Sequence, residues 1–170
     1  MRDAPSVSDL RRELDYCAET GMLAWKVRRK GVVPGRQVSA VSAAGYVVVG
    51  FGKRIFLAHR VAWAIHYGSW PEKQIDHINR VRSDNRLANL RQADGSENNA
   101  NRSLCDRNAS GVKGVSWDAA RRKWKAQLVA RKRRVLSARF DCKELAELVY
   151  QEALSRHFGA FAPLSIGAPT

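Results

Sequence analysis

Apolar and polar positions in this chain come in short blocks, and no long amphipathic stretch unites them. Over residues 6–20, Leu10, Leu14 and Cys17 fall near helical spacing, which predicts a short helix capped by Ser8. A turn at Thr20-Gly21 precedes a strand-like run over 22–27. Residues 31–45 are rich in Gly, Ser and small side chains and read as loop with short edge strand. Two strands follow, 46–49 and 54–58, around a Gly52-Lys53 turn. In 59–67 the apolar positions Val61, Ala62, Trp63 and Ile65 predict an amphipathic helix stopped by Gly68, with His66 partly buried. Residues 74–103 read as strand (74–77), loop (78–86), strand (87–92) and helix (96–103).

The pattern changes after 104–111, LCDRNASG, which reads as a linker. Three strands fit 112–117, 123–130 and 134–140. In the middle strand Trp124, Ala126 and Leu128 point one way, and Lys123, Lys125, Gln127 and Val129 the other. A helix over 142–157 follows, with Asp141 as N-cap and Leu145, Leu148 or Val149, and Ala153 facing inward. Three strands and a helix make a small two-layer unit.

Composition narrows the function. The 170 residues suffice for one ordinary domain or two small ones, and 45% apolar content excludes a disordered chain. With 30 Lys and Arg against 16 Asp and Glu, the formal charge of +14 calls for an acidic partner, and nucleic acid fits best. Cys17, Cys105 and Cys142 are odd in number, far apart and form no C-x-x-C pair, which argues against a disulfide framework and a structural zinc site. The N-terminus lacks the apolar core of a signal peptide, and no apolar run approaches a membrane span. A soluble protein of the reducing cytoplasm, with no membrane partner, is the expectation.

The chemistry concentrates in QIDHINRVRSDNRLANLRQADGSENN, residues 74–99. Phosphodiester hydrolysis needs a base for water and neutralisation of the charge on the phosphorane and the leaving oxygen. An imidazole such as His77 is partly neutral at physiological pH. Asp76 and Asn98 offer oxygen ligands to a hard divalent cation, Mg²⁺ or Mn²⁺. Adjacent strand residues point to opposite faces, so Asp76 and His77 serve one site only if the following helix returns to the Asp76 face. Asn89, on the expected second strand, is placed to accept from His77 Nδ1–H and leave Nε2 as the base. Asn99 and Asn101 flank Asn98 and replace it if the helix phase differs by one. Asn85 reads as closing the loop in an Asx turn. Arg60 is placed either to hold a phosphate or to serve a structural role.

This stretch resembles the HNH endonucleases, in the H-N-N variant of phage and intron-encoded homing enzymes. The likeness extends to AHRVAWAIHYG upstream and to the N-terminal ELDYCAETGMLAWK. It implies a ββα-metal core, a β-hairpin and a helix clasping one divalent ion. Asp76 and Asn98 would then bind metal, His77 would be the general base and Asn89 would orient it. The departure is Asn98, where the family's name has a final histidine.

Residues 110–162 resemble the Apetala-two, or ethylene-response-factor, DNA-binding domain through Lys113–Val115, Trp124–Ala126, the strand ending at Phe140 and the closing His157-Phe158-Gly159. From 107 to 139 there are eleven Lys and Arg and one acid, Asp118. The likeness implies a sheet laid in the major groove of double-stranded DNA. Lys113, Trp117, Arg121, Lys123, Lys125, Gln127 and Arg134 would face DNA, and Trp124 would face the core. Ser116, Asp118 and Val129 stand where that family has arginines, so its sequence preference does not carry over.

The expected architecture is α+β: a nuclease domain at 1–103 (a hairpin-containing extension 1–58 and a ββα-metal core 59–103), a linker 104–111, and a DNA-binding domain 112–164. The expected function is a divalent-metal-dependent DNA endonuclease, with a non-catalytic DNA-binding regulator and a structural RNA-binding protein as alternatives. No heptad predicts a dimer, and a monomer is favoured.

Overall fold

In the computed structural model, residues 4–104 and 108–162 are described, and the chain divides into two units, Met1–Ala93 and Asp94–Thr170. Cys105 and Arg107, and residues 163 and 164 at the end of the expected second domain, lie outside the described residues. Among the described residues no helix is long and apolar enough to cross a membrane.

The first unit begins with helix α1, Val7–Glu13. Its cap is Ser6, whose hydroxyl accepts from the Asp9 amide, and not Ser8. The helix expected to reach residue 20 stops at Glu13. Leu14–Tyr16 extends instead as β1 and pairs antiparallel with β2, Leu23–Trp25. Pairing buries Leu14 and Leu23 across from α1, and this tertiary gain outweighs a weak helical periodicity. Strands β3 (Val48–Phe51) and β4 (Arg54–Leu57) form a hairpin with Phe51 opposite Arg54. Helix α2, Ala58–Tyr67, follows without a loop and ends at Gly68 in the left-handed region. Leu10, Leu14, Leu23, Val49, Ala58 and Val61 form this unit's main core. His66 is exposed, not partly buried, and lies edge-on to Tyr67.

Strand β5, Gln74–His77, pairs with β6, Leu90–Ala93. The second strand was expected over 87–92. Leu87–Asn89 is a 3₁₀ turn instead, because Asn89 is spent closing the preceding loop. Ile75 and Leu90 pack against Ala62, which sets one face of this hairpin on α2.

The second unit begins with α3, Gly95–Asn101. Asp94 is its N-cap, accepting from the Ser96 and Glu97 amides, and Glu97 returns a carboxylate to the Asp94 amide in a full capping box. Ala100 joins the core of this unit, and the Ser96 hydroxyl accepts from the Arg131 amide. By these contacts α3 groups with residues beyond the expected linker. Strands β7 (Val115–Asp118), β8 (Lys123–Ala130) and β9 (Arg133–Phe140) make one antiparallel sheet with β8 in the middle. Helix α4, Lys143–Phe158, covers one face. Its N-cap is Cys142, and Asp141, the expected cap, pairs with Lys123 at 3.1 Å. The inner face is Ala146, Tyr150, Leu154 and Phe158. Leu145 and Leu148 are exposed, one step out of the expected phase.

Candidate active site

In β5 the chain alternates faces, and its two chemically active residues part accordingly. His77 shares a face with Ile75 and with its cross-strand partner Leu90. That face meets α2, where Ala62 touches the Ile75 cluster and His59, one turn earlier, meets His77. The two imidazoles stand edge to face with centroids 4.9 Å apart, and Tyr46 lies 5.3 Å from His59 and 6.0 Å from His77. Both histidines are 4% exposed. Burial, with His77 and Arg60 adding repulsion, pushes the His59 pKa down to about 3, so His59 is neutral at physiological pH. Burial also lowers His77, against the opposing pull of Asn85 and Asp76.

The amide beside the His77 ring is that of Asn85. Its Oδ1 lies 3.2 Å from His77 Nε2. With a carbonyl oxygen as acceptor, Nε2 carries the hydrogen and Nδ1 is the basic nitrogen. This reverses the sequence expectation, in which Asn89 held Nδ1. Asn89 Oδ1 instead accepts from the Asn79 amide at 2.9 Å, and its Nδ2 donates to the Asp84 carbonyl at 2.8 Å. Asn89 therefore fixes the loop that carries Asn85.

That loop is held from several directions. The Asp84 carboxylate accepts from Asn79 Nδ2 and from three nitrogens of Arg86. Hydrogen bonding by Arg86 brings the Asp84 pKa down to about 2. The Tyr16 hydroxyl donates to the Asn85 carbonyl, and the Leu87 amide to the Ala18 carbonyl. Gly21, at φ +75°, packs directly on the backbone of Asn85 and Arg86, where a Cβ would collide with both. Gly21→Ala is expected to destabilise the protein by more than about 1 kcal/mol, because the conformation is unfavourable and the backbone cannot yield cheaply. A thermal melt checks this, with a fall of at least about 4 °C expected for a unit of this size.

The other face of the hairpin carries Asp76 and its cross-strand partner Arg91. Arg91 Nε and a terminal nitrogen each lie 2.8 Å from Asp76 Oδ2, and both side chains are largely buried. Arg60 has a structural place. Its guanidinium donates to the Pro71 and Lys73 carbonyls and ties α2 to the approach to β5. Asn98, Asn99 and Asn101 lie on α3 in the second unit. Among the described residues no group of three or more His, Cys, Asp or Glu side chains gathers to hold a metal. One carboxylate with an amide oxygen is a hard, oxygen-only donor set. It fits a cation that keeps several waters, and does not fit a closed zinc centre.

In the second unit, Lys125 and Gln127 lie on the sheet face away from α4, opposite Arg139 and Ser137. Arg139, whose Nε donates to the Asp118 carboxylate at 2.8 Å, was missed in the sequence; its phase relative to Phe140, a core position, was the available signal. Trp117 is a correction. It pairs with Trp124 in register and stacks edge-on to it at 5.3 Å, so it shares the helix-covered face with Trp124 although half exposed. Lys113 is another. Its Nζ donates to the carbonyls of Asn99, Ala100 and Arg102, closing the C-terminus of α3. Arg121 pairs with Asp118 at 3.6 Å, Lys123 with Asp141, and Arg134 is exposed across from Val129.

A family model described as HNH endonuclease matches residues 56–100, from β4 through α3. Protein 3.8 of Escherichia phage T7 is 31% identical over 105 residues, which cover 61% of this chain and 86% of that protein. No solved structure matches. The matched stretch contains the buried histidine, the loop that fixes it and the hairpin that presents it, and the chain belongs to the HNH endonuclease family.

Proposed function

We propose that this protein is a divalent-metal-dependent endonuclease acting on double-stranded DNA, of the homing or phage type, with His77 as general base. The observation that carries the reading is the His77 imidazole, buried and neutral at physiological pH, fixed through Nε2 by Asn85, and one residue from the Asp76 carboxylate. His77 Nδ1 takes a proton from water as the oxygen attacks phosphorus, and the bond to the leaving sugar oxygen breaks. Asn85 keeps the ring in the tautomer that this requires, and Asn89 keeps Asn85 in place. Asp76 and Asn98 would supply oxygen ligands for Mg²⁺ or Mn²⁺, which when bound would neutralise charge on the phosphate and the leaving oxygen. Support for pairing Asp76 with Asn98 is their common place in the matched stretch 56–100.

The second unit grips DNA in this reading, through the open sheet face with Lys125, Gln127 and Arg139 and the exposed Arg134. Contacts to about six phosphates would give log affinity a slope of about −5 against log salt. Supercoiled plasmid and phage or host genomic DNA, each incubated with protein and Mg²⁺, test the activity. Nicking or linearisation by the wild type, absent with EDTA and with His77→Ala, is the expected result. Intact DNA of every kind with wild-type protein would overturn the proposal and favour a non-catalytic DNA-binding regulator.

A further inference from the structure

Residues 20–71 contain eight Lys and Arg and not one Asp or Glu. Such a length of chain without an acid lacks the partners that ordinarily neutralise surface cations. One of the eight, Arg60, is spent on carbonyls, and Lys26 Nζ donates to the Arg11 carbonyl. The fold collects several of the others at one place. Arg29 and Val32 exchange both backbone hydrogen bonds at 3.0 Å, which leaves Lys30-Gly31 as a two-residue turn with Gly31 at φ +73°. Phe51 pairs with Arg54, which leaves Gly52-Lys53 as a second two-residue turn, with Gly52 at φ +64°. Each turn therefore presents one lysine at its tip.

Arg29 locks the two turns side by side. From the base of the first, its guanidinium lies 4.6 Å from the Trp25 ring centroid and 5.4 Å from that of Phe51, at the base of the second. It also lies 3.5 Å from the Gly50 carbonyl and 3.5 Å from Glu13. Arg36 folds onto the first tip, donating to the Gly31 carbonyl at 2.7 Å. Arg28, Lys30, Arg36 and Lys53 are all exposed around the paired tips. Ile55, 76% exposed, lies two residues beyond Lys53. A solvated face with no role ordinarily carries both signs of charge interspersed.

We infer that these lysine-tipped turns form a second phosphate-binding surface, on the nuclease unit itself, that holds the backbone of duplex DNA independently of the second unit's sheet. The inference rests on the proposal that DNA is the substrate. β4 runs without a loop into α2, which holds His59 against His77. The tips and the imidazole thus belong to one unit, and phosphates gripped at the tips would help to fix which phosphodiester meets the base.

The test is binding of full-length protein to a fluorescent DNA duplex in EDTA, across a salt series, for wild type, Lys30→Gln/Lys53→Gln and Arg12→Gln. Arg12 is an exposed cation on α1 paired with Asp9. Removing two phosphate contacts should reduce the slope of log affinity against log salt by about 1.8, since each contributes about 0.9. Arg12→Gln should leave it unchanged. Equal slopes for wild type and the double variant overturn the inference. So does a slope that falls only on an RNA duplex of the same length. No DNA binding by wild type overturns it together with the proposed function. A reduced slope in a protein that cuts no DNA upholds the surface and removes only the nuclease reading.

Discussion

His77→Ala is expected to slow strand scission by about 10²- to 10⁴-fold, the usual contribution of a positioned general base. DNA affinity in EDTA should change little, because a neutral imidazole adds no positive charge to the phosphate contacts that dominate binding. The pH profile gives a second readout. Burial holds the His77 pKa below its ordinary value, so the neutral, proton-accepting form persists to lower pH than for a free histidine. Cutting should fall as pH falls, with the acid limb displaced to lower pH than that of a free histidine. Asn85→Ala removes the oxygen that faces Nε2 and should lower the rate while the fold survives. A His77→Ala protein that cuts at the wild-type rate would remove this residue from the mechanism.

Arg91→Leu is expected to destabilise the protein by about 3–5 kcal/mol, because it takes from a buried carboxylate the countercharge that two 2.8 Å contacts supply. Against a total stability of about 5–15 kcal/mol this is a large loss. The penalty belongs to the stranded charge and not to the lost attraction, so Asp76→Asn/Arg91→Leu should be more stable than Arg91→Leu alone. Denaturant melts of the three variants decide it. A loss below about 1 kcal/mol for the single variant would mean that solvent screens the pair as it does at a surface.

Much of the first unit was legible because its signals are local. Gly52-Lys53 between two apolar runs marks a hairpin, and Gly68 marks the end of α2. Adjacency on a strand separates Asp76 from His77 whatever the rest of the chain does. Local signals failed where a distant partner decided the outcome. Leu14 left the expected helix because Trp25 was available to pair with it. Asn89 left the expected strand because Asn79 and Asp84 used both ends of its amide. Trp117 lies with Trp124 because register, which sequence does not carry, set the two opposite each other.

The sequence by itself determined the charge, the spacing of Asp76, His77, Asn89 and Asn98, and the position of most elements, since each follows from composition or from periodicities within a few residues. Only the tertiary structure decided which amide meets His77, because Asn85 and Asn89 lie on one loop with identical side chains and differ only in where folding points them. It likewise decided that Arg91 faces Asp76, that Lys113 closes a helix, and that two lysine-tipped turns 23 residues apart stand together. Each is a contact between segments whose separation along the chain leaves no periodic trace, and packing alone selects it.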